Sequence, residues 1–340
     1  MNPVFSIIIP LFNREKLIVD TIGSLLAQSE TNWEALIVDD GSTDRSREVV
    51  RQYSDQDPRI ILLERPAERR KGPSACRNIG FESARGDYIF YLDSDDLLEE
   101  HFCENAAFEF REDPELDFLG VQCIYFSMNT DELLDHSYQP DFHDDEIKVH
   151  YIEKSLRVQT ESFCWRKSFL DRYQNHWPED QRVGEDRVCY YRILTRPCFG
   201  SWAKSKVQVF HRSGNPSGIE NDQLTPQVNR NPQYAKERTL TAKRLIDAFI
   251  DSDALSSASE KLLLDNALCT LRGVLSYNHT DIAKDAFQQI VSFANRVNRP
   301  EYLRKAKTYM RLAWVFRFHR IPFVEKCYRI IRGFFTRGEK

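Results

Sequence analysis

The 340-residue sequence has no CxxC pair, no His/Cys cluster at zinc-ligand spacing and no GxxxxGK[ST] loop. The first two absences exclude a structural zinc module and a dithiol redox motif; the third excludes a P-loop nucleotidase. The cysteines are scattered, at 76, 103, 123, 164, 189, 198, 269 and 327, several within apolar runs. They read as buried free thiols in a reducing cytoplasm. No apolar run approaches the roughly 18 residues of a membrane span. The opening MNPVFSIIIPLF lacks a basic n-region and a small-residue cleavage site, so no signal peptide is expected. There is no internal repeat and no low-complexity tract. What is left, at 41% hydrophobic and 29% charged residues, is a globular chain with room for more than one domain of about 150 residues.

The charge is uneven. Residues 301–340 carry eleven Lys/Arg against three Asp/Glu, net +8, which leaves −13 on the first three hundred residues of a chain whose total is −5. An acidic body with a basic tail points to an anionic surface or partner near the C-terminus.

The first third alternates strand-like and helix-like segments. FSIIIPLF, EALIVDD, RIILLERP, DYIFYLDSDD and DFLGVQCIYFS read as five strands. Between them REKLIVDTIGSLLAQS, GSTDRSREVVRQYS, GPSACRNIGFESARG and EEHFCENAAFEFRE carry helical spacing and capping residues. This alternation predicts an α/β fold, a Rossmann-like mostly parallel sheet with helices on both faces. After residue 130 the pattern loosens. DELLDHSYQPDFHDDE is acidic and turn-rich, TESFCWRKSFLDRY reads as a helix or a strand-helix pair, GEDRVCYYRILTR as a helix, and KVQVFHRSGNPSG as a strand entering a loop. From residue 222 the chain reads as mostly helical, with few Gly or Pro after Pro232.

Ligands in such sheets bind at the carboxyl ends of strands, where this sequence places its polar clusters: Asn13, Asp39 with Asp40, and Asp93 to Asp96. Like charges crowded at a strand end are costly unless a cation or water covers them. Asp93 and Asp95 can present oxygens to one Mg²⁺ or Mn²⁺, hard ions that fill their shells with phosphate oxygens. Alternatively, Asp95 or Asp96 caps the helix that follows. Asp39 and Asp40 are not separable by spacing: either reaches a nucleobase or ribose while its neighbour makes the turn with Gly41. Arg77 touches a diphosphate, fixes a nearby aspartate or is simply a solvated arginine. Glu185 and Asp186 are first-turn helix acids or a general base. His211 is a satisfied histidine or a third metal ligand.

Taken together, SIIIPLFNRE, IVDDGSTDRS, GPSACRNIGFESARGDYIFYLDSDD, GED and FHRSG resemble, in order and spacing, the segments of family 2 glycosyltransferases, closely over residues 3–127 and loosely over 158–218. The resemblance implies a GT-A fold, an inverting mechanism, a nucleotide-diphosphate sugar donor, most often a UDP-sugar, and Mg²⁺ or Mn²⁺. Carried over by position, Pro10, Phe12 and Asp40 line the nucleoside pocket; Arg77 and Asn78 sit beside the donor, with Ser94 on the nucleotide side; Asp93 and Asp95 form the DxD metal motif, with Asp95 the direct ligand. Asp186 is the base, Glu185 supports it or touches the acceptor, and His211 completes metal or diphosphate binding, although its HRSGNPSG stretch departs from the family pattern.

The expected organisation is a transferase domain over residues 1–220, with a nucleotide-binding half at 1–127 and an acceptor half at 128–220, followed by a helical C-terminal region at 221–340. The basic aromatic tail either lies in a membrane interface or packs on the body. A membrane-facing tail suits a lipid-linked glycan acceptor at the inner face of the cell membrane. The acidic body argues against nucleic acid. The competing readings are a sugar nucleotidyltransferase and a non-catalytic nucleotide- or glycan-binding scaffold. The first lacks its Gly-rich N-terminal phosphate loop; the intact Asp93/Asp95 and Glu185/Asp186 pairs argue against the second.

Overall fold

A computed structural model describes residues 3–127, 159–174, 176–181, 184–213, 232–250, 257–276 and 280–318. The acidic stretch 131–146, the Gly/Pro loop after Ser213 and the basic aromatic tail past Phe318 lie outside the described residues. The chain divides into two compact units, Met1–Thr225 with Arg244–Leu262, and Pro226–Lys243 with Leu263–Lys340.

The first unit is built on a seven-stranded sheet. Strand β1 (Phe5–Leu11) pairs parallel with β2 (Trp33–Asp39) and with β4 (Tyr88–Tyr91), and β2 pairs parallel with β3 (Ile60–Glu64). Nearly every residue of β1 and β2 is buried, as expected of strands covered on both faces. Alternate residues of β1 divide the cover. Phe5, Ile7, Ile9 and Leu11 join Ile18, Ile22 and Leu25 of α1 (Ile18–Leu26) and Phe102 and Ala106 of α4 (Phe102–Glu112) in one core. On the opposite face Ile8 meets α3 (Pro73–Ser83), where a Cβ on Gly80 would lie 2.3 Å from Ile8 Cγ2. Only glycine lets α3 ride this close to the strand, and that closeness carries Arg77 toward the carboxyl end of β1. Helix α2 (Ser46–Ser54) links β2 to β3.

The remaining strands follow the sequence pattern only in part. DFLGVQCIYFS is not one strand but two: β6 (Phe118–Gly120) stays in the main sheet, and β7 (Gln122–Ser127) enters a second sheet. TESFCWRKSFLDRY resolves into a 3₁₀ turn at Thr160–Ser162, β8 (Phe163–Arg166) and helix α5 (Lys167–Tyr173). Strand β8 runs antiparallel to both β4 and β6, so its beginning, not its end, lies at the edge where β1, β2 and β4 finish. Helix α6 (Glu185–Leu194) follows, then β9 (Gly200–Trp202), parallel to β6. The second sheet has the order β5-β10-β7, with the two-residue β5 (Leu97–Leu98) antiparallel to β10 (Gln208–Ser213).

C-terminal to these lie α7 (Pro232–Ile250), α8 (Ser257–Ser276), α9 (Thr280–Arg296) and α10 (Pro300–Phe318). In the second unit, Ala283, Ala286, Ile290 and Phe293 of α9 and Tyr302 and Ala306 of α10 are buried. Asn298 closes the turn between these helices in the left-handed region, φ 54°, while Arg299 N–H donates to Ala294 O at 2.8 Å, a helix stop of the kind Asn supports.

Candidate active site

The carboxyl ends of β1, β2 and β4, the start of β8, the first turn of α6 and β10 surround one cleft of about 660 Å³, within the range of small-ligand sites. Pro10, Phe12, Asp40, Arg77, Asp93, Ser94, Asp95, Glu185, Asp186 and His211 all line it. Asn78 does not. Its Nδ2 donates to Trp177 O at 3.0 Å and to Glu179 Oε1 at 3.0 Å, and its Oδ1 accepts from Trp177 N at 2.8 Å. Here Asn78 moors the 176–181 segment, which seats Trp177 against Arg77.

The junction after β2 separates two residues that spacing alone could not. Asp39 is the turn residue: its carboxylate accepts from Gly41 N at 3.1 Å and Ser42 N at 3.2 Å. Asp40 faces the cleft, buried and ion-paired with Arg65. Asn13, in the left-handed region at φ 52°, accepts from Thr43 N at 2.8 Å and ties the β1 end to the β2 end. Phe12 is 39% exposed at the rim, with Lys71 Nζ 3.8 Å from its ring centroid.

The acidic cluster is held by defined partners. Arg77, 2% exposed, donates to Asp93 Oδ1 at 2.8 Å, lies 3.5 Å from Glu185 Oε1 and stacks 4.4 Å from the Trp177 ring. It therefore fixes an aspartate, one of its expected fates, and is not a solvated arginine. Burial alone raises Asp93, but the Arg77 charge and hydrogen bond outweigh it and hold the group below the ordinary carboxylate range. Asp95 is pushed up to about 6 by burial and by the charges of Asp96 and Asp93, which Arg14, 3.6 Å away, only partly offsets. Glu185 is pushed up to about 7 by burial and then by Asp186, with Arg77 opposing. Burial also raises Asp186, although Arg187 N–H donates to its Oδ1 at 2.7 Å.

Asp96 does not cap a helix, because α4 begins later, at Phe102, behind His101. Its carboxylate instead meets His211 Nδ1 at 2.7 Å and accepts from Arg212 N at 2.8 Å. His211 is raised: burial lowers it, but the Asp96 hydrogen bond and charge prevail. Sequence reasoning missed Glu161. This side chain, 1% exposed, lines the cleft and accepts from Asp93 N at 3.1 Å; burial and the charges of Asp93 and Asp96 push it well above its ordinary value. Its signal, a polar TES ahead of the apolar FCW, is visible in hindsight but carries no spacing to any partner.

The lining carries Asp40, Asp93, Asp95, Glu161, Glu185 and Asp186 against Arg14, Arg77 and His211. A surplus of carboxylates, offering hard oxygen atoms and one imidazole, fits Mg²⁺ or Mn²⁺. Asp93 and Asp95 keep 35% and 28% of their side-chain surface open, enough for a ligand to reach them. The donor atoms of Asp96, Glu161 and His211 also lie within 4.8 Å of one another.

The fold is an α/β domain whose mostly parallel sheet gathers carboxylates at its carboxyl edge. Residues 6–173 match the model of glycosyl transferase family 2, and through this domain the chain belongs to that family. It is 43% identical over 95 residues, 28% of this chain and 37% of the relative, to TuaG of Bacillus subtilis, whose name refers to teichuronic acid biosynthesis. The chain spans about half or less of the length of the curated relatives it matches. Residues 1–349 of S. aureus TarS, solved with UDP-GlcNAc, share its fold: TM-score 0.66, 18% identity, 96% of this chain and 91% of that one covered. The mannosyltransferase PcManGT of Pyrobaculum calidifontis, solved with GDP-Man and Mn²⁺, superposes with TM-score 0.53 at 14% identity, covering 91% and 87%. The family and the GT-A architecture with a helical C-terminal region, both expected from the sequence, therefore stand.

Proposed function

We propose that this chain transfers a sugar, with inversion, from a nucleotide-diphosphate sugar to an acceptor hydroxyl in polysaccharide or glycan assembly. The observation that carries the reading is the convergence of two carboxylate pairs, Asp93/Asp95 and Glu185/Asp186, on one cleft on either side of a buried Arg77. Family membership supports it, as do the fold neighbours solved with UDP-GlcNAc and with GDP-Man and Mn²⁺. UDP is the nucleotide favoured by the first of these.

On this reading Pro10, Phe12 and Asp40 receive the nucleoside, and Arg65 holds the Asp40 carboxylate in place. Asp93, Asp95 and His211 hold Mg²⁺ or Mn²⁺, which when bound offsets negative charge developing on the departing diphosphate. Arg77 keeps Asp93 ionised and Glu185 in position. Asp186 accepts the proton of the attacking hydroxyl, with Glu185 beside it; raised proton affinity in this pair suits a base working near neutral pH. On this reading the acceptor hydroxyl attacks directly, and a single displacement needs no enzyme nucleophile. Release of nucleoside diphosphate from a sugar donor by the wild-type chain, and its loss in Asp95→Ala with the circular dichroism spectrum unchanged, is the expected result. Donor turnover by Asp95→Ala at the parental rate removes the assignment, and a wild-type chain that binds donor without turning it over favours the scaffold.

The basic aromatic composition of residues 301–340 supports a peripheral contact with an anionic membrane and a lipid-linked acceptor. The full chain should float with anionic liposomes and a chain ending near residue 300 should not; equal flotation removes the contact.

A further inference from the structure

We propose that Asp96 fixes the tautomer and aim of His211, so that the ring presents Nε2 to the cleft as a cation ligand while Asp96 itself binds no ion. The inference deepens the transferase reading and rests on it for the identity of the cation.

The placement follows from strand register. Strands β5 and β10 are antiparallel, with Leu98 opposite Val209 and Leu97 opposite Phe210. One step further along the same ladder puts Asp96 opposite His211, at the point where β5 begins. The carboxylate spans the gap with both oxygens: Oδ2 lies 2.7 Å from His211 Nδ1, and Oδ1 accepts from Arg212 N–H at 2.8 Å. Tyr125 on β7 packs edge-on against the imidazole, centroids 5.2 Å apart at 75°, which fixes the ring plane. An ionised carboxylate only accepts, so the short contact places the neutral ring's proton on Nδ1. Nε2, on the opposite edge of a ring that lines the cleft, is then left with its lone pair.

Exposure separates the roles of the three aspartates. The side chains of Asp93 and Asp95 are 35% and 28% exposed; that of Asp96 is 1% exposed. In Asp96 both oxygens already accept, from His211 and from Arg212 N–H, and Glu161 already holds the Asp93 N–H, so an ion bound directly by Asp96, Glu161 and His211 would compete with these contacts. The arrangement is that of a carboxylate behind a ligating histidine, where the outer partner sets ring orientation and its loss weakens metal binding by about 10–100-fold.

Asp96→Asn is an exacting test because an amide offers one acceptor and one donor where two donors now converge. If its oxygen keeps the Arg212 N–H, its NH₂ faces Nδ1 and drives the ring proton to Nε2, the edge meant for the cation. The full-length chain labelled with ¹⁵N-histidine, at a pH where the ring is neutral, gives the proton position directly from long-range ¹H–¹⁵N couplings, with His211→Gln identifying the signal. The wild-type ring is expected to be protonated on Nδ1 and the Asp96→Asn ring on Nε2. Electron paramagnetic resonance of Mn²⁺ with UDP present is expected to show affinity 10–100-fold weaker in Asp96→Asn, close to that of His211→Gln.

A wild-type ring protonated on Nε2 overturns the proposal. So does Asp96→Asn binding Mn²⁺ as the wild type does, or His211→Gln doing so. If the wild-type chain binds no Mn²⁺ even with UDP, the transferase reading fails instead; the wild-type proton position still decides the part played by Asp96, and needs no variant to fold.

Discussion

Replacing Arg77 with methionine removes a buried cation and keeps most of its aliphatic volume. Removing one partner of a buried pair costs about 3–5 kcal/mol when the other charge is left uncompensated. The low end applies, because Asp93 keeps 35% of its side-chain surface open to the cleft and retains some solvation. Loss of the stack over Trp177, at 4.4 Å, adds about 1 kcal/mol. The sum, about 4 kcal/mol, is a large part of the 5–15 kcal/mol that holds a domain folded. At about 2–4 °C per kcal/mol for a unit of this size, the melting midpoint should fall by about 8–16 °C at pH 7.5. The pH dependence is the sharper test. In the wild type Asp93 has a lowered pKa, so it contributes stability above its unfolded value, lost only as pH falls through the folded one. Without Arg77, burial and the neighbouring carboxylates raise it, and ionised Asp93 becomes a penalty that protonation relieves. The gap between variant and wild type should therefore narrow on acidification, by about 1.4 kcal/mol for each unit by which the variant's Asp93 pKa exceeds the assay pH. Melting curves at pH 7.5 and 5.0, with Arg77→Lys as a charge-keeping control, measure this. A midpoint within about 2 °C of wild type at pH 7.5, or an equal gap at the two pH values, refutes the reasoning.

Two further outcomes are expected. Asp95 at about 6 and Glu185 at about 7 have folded pKa values raised above their unfolded ones, so the ligand-free chain should lose stability as pH rises from about 5 to 8; Mn²⁺ with UDP should restore more melting temperature at pH 8 than at pH 5.5, and an equal gain at both would remove those carboxylates from the ligand set. Gly184 precedes α6 in the left-handed region at φ 69°, so Gly184→Ala should cost about 1–2 kcal/mol and, by shifting Glu185 and Asp186, lower kcat with donor KM little changed; an unchanged kcat would show that this turn does not place the base.

How far the sequence disclosed the site depended on how local each signal was. Strands β1, β2 and β4 were legible because they are continuous apolar runs ended by polar clusters, and parallel pairing brings such ends to one edge without knowledge of the loops. Thus Asp40, Asp93 and Asp95 converge as their strand-end positions indicated, and the Glu185/Asp186 pair, expected there only from the family resemblance, lines the same cleft. Strands β5 and β9, two and three residues long, carry too few side chains to show a period. With β5 unseen, nothing in the sequence could place Asp96 opposite His211, 115 residues away. Glu161 was invisible for a related reason: it reaches the cleft because β8 runs antiparallel, and strand direction is a tertiary choice. Asn78 shows the opposite failure. Its neighbour Arg77 faces the cleft, but successive helical residues point about 100° apart, and Asn78 turns to Trp177 instead.

The crowding of aspartates at the end of β4 then has a physical resolution in which each carboxylate answers to a different partner. Asp93 is neutralised by Arg77, and Asp96 is occupied by His211 and Arg212. Asp95 has only the longer ion pair to Arg14, at 3.6 Å, and burial with the charges of Asp96 and Asp93 pushes it up to about 6. A diphosphate approaching this edge would meet at Asp95 the least compensated carboxylate of the trio that is open to it. Cation demand is thus concentrated on Asp95, beside a histidine held by Asp96, while Arg77 ties the same cluster to the acids of α6. The two halves of the proposed chemistry share one guanidinium, so perturbing Arg77 should disturb both the metal side and the base side of the cleft, whereas Asp95→Ala should disturb the first alone.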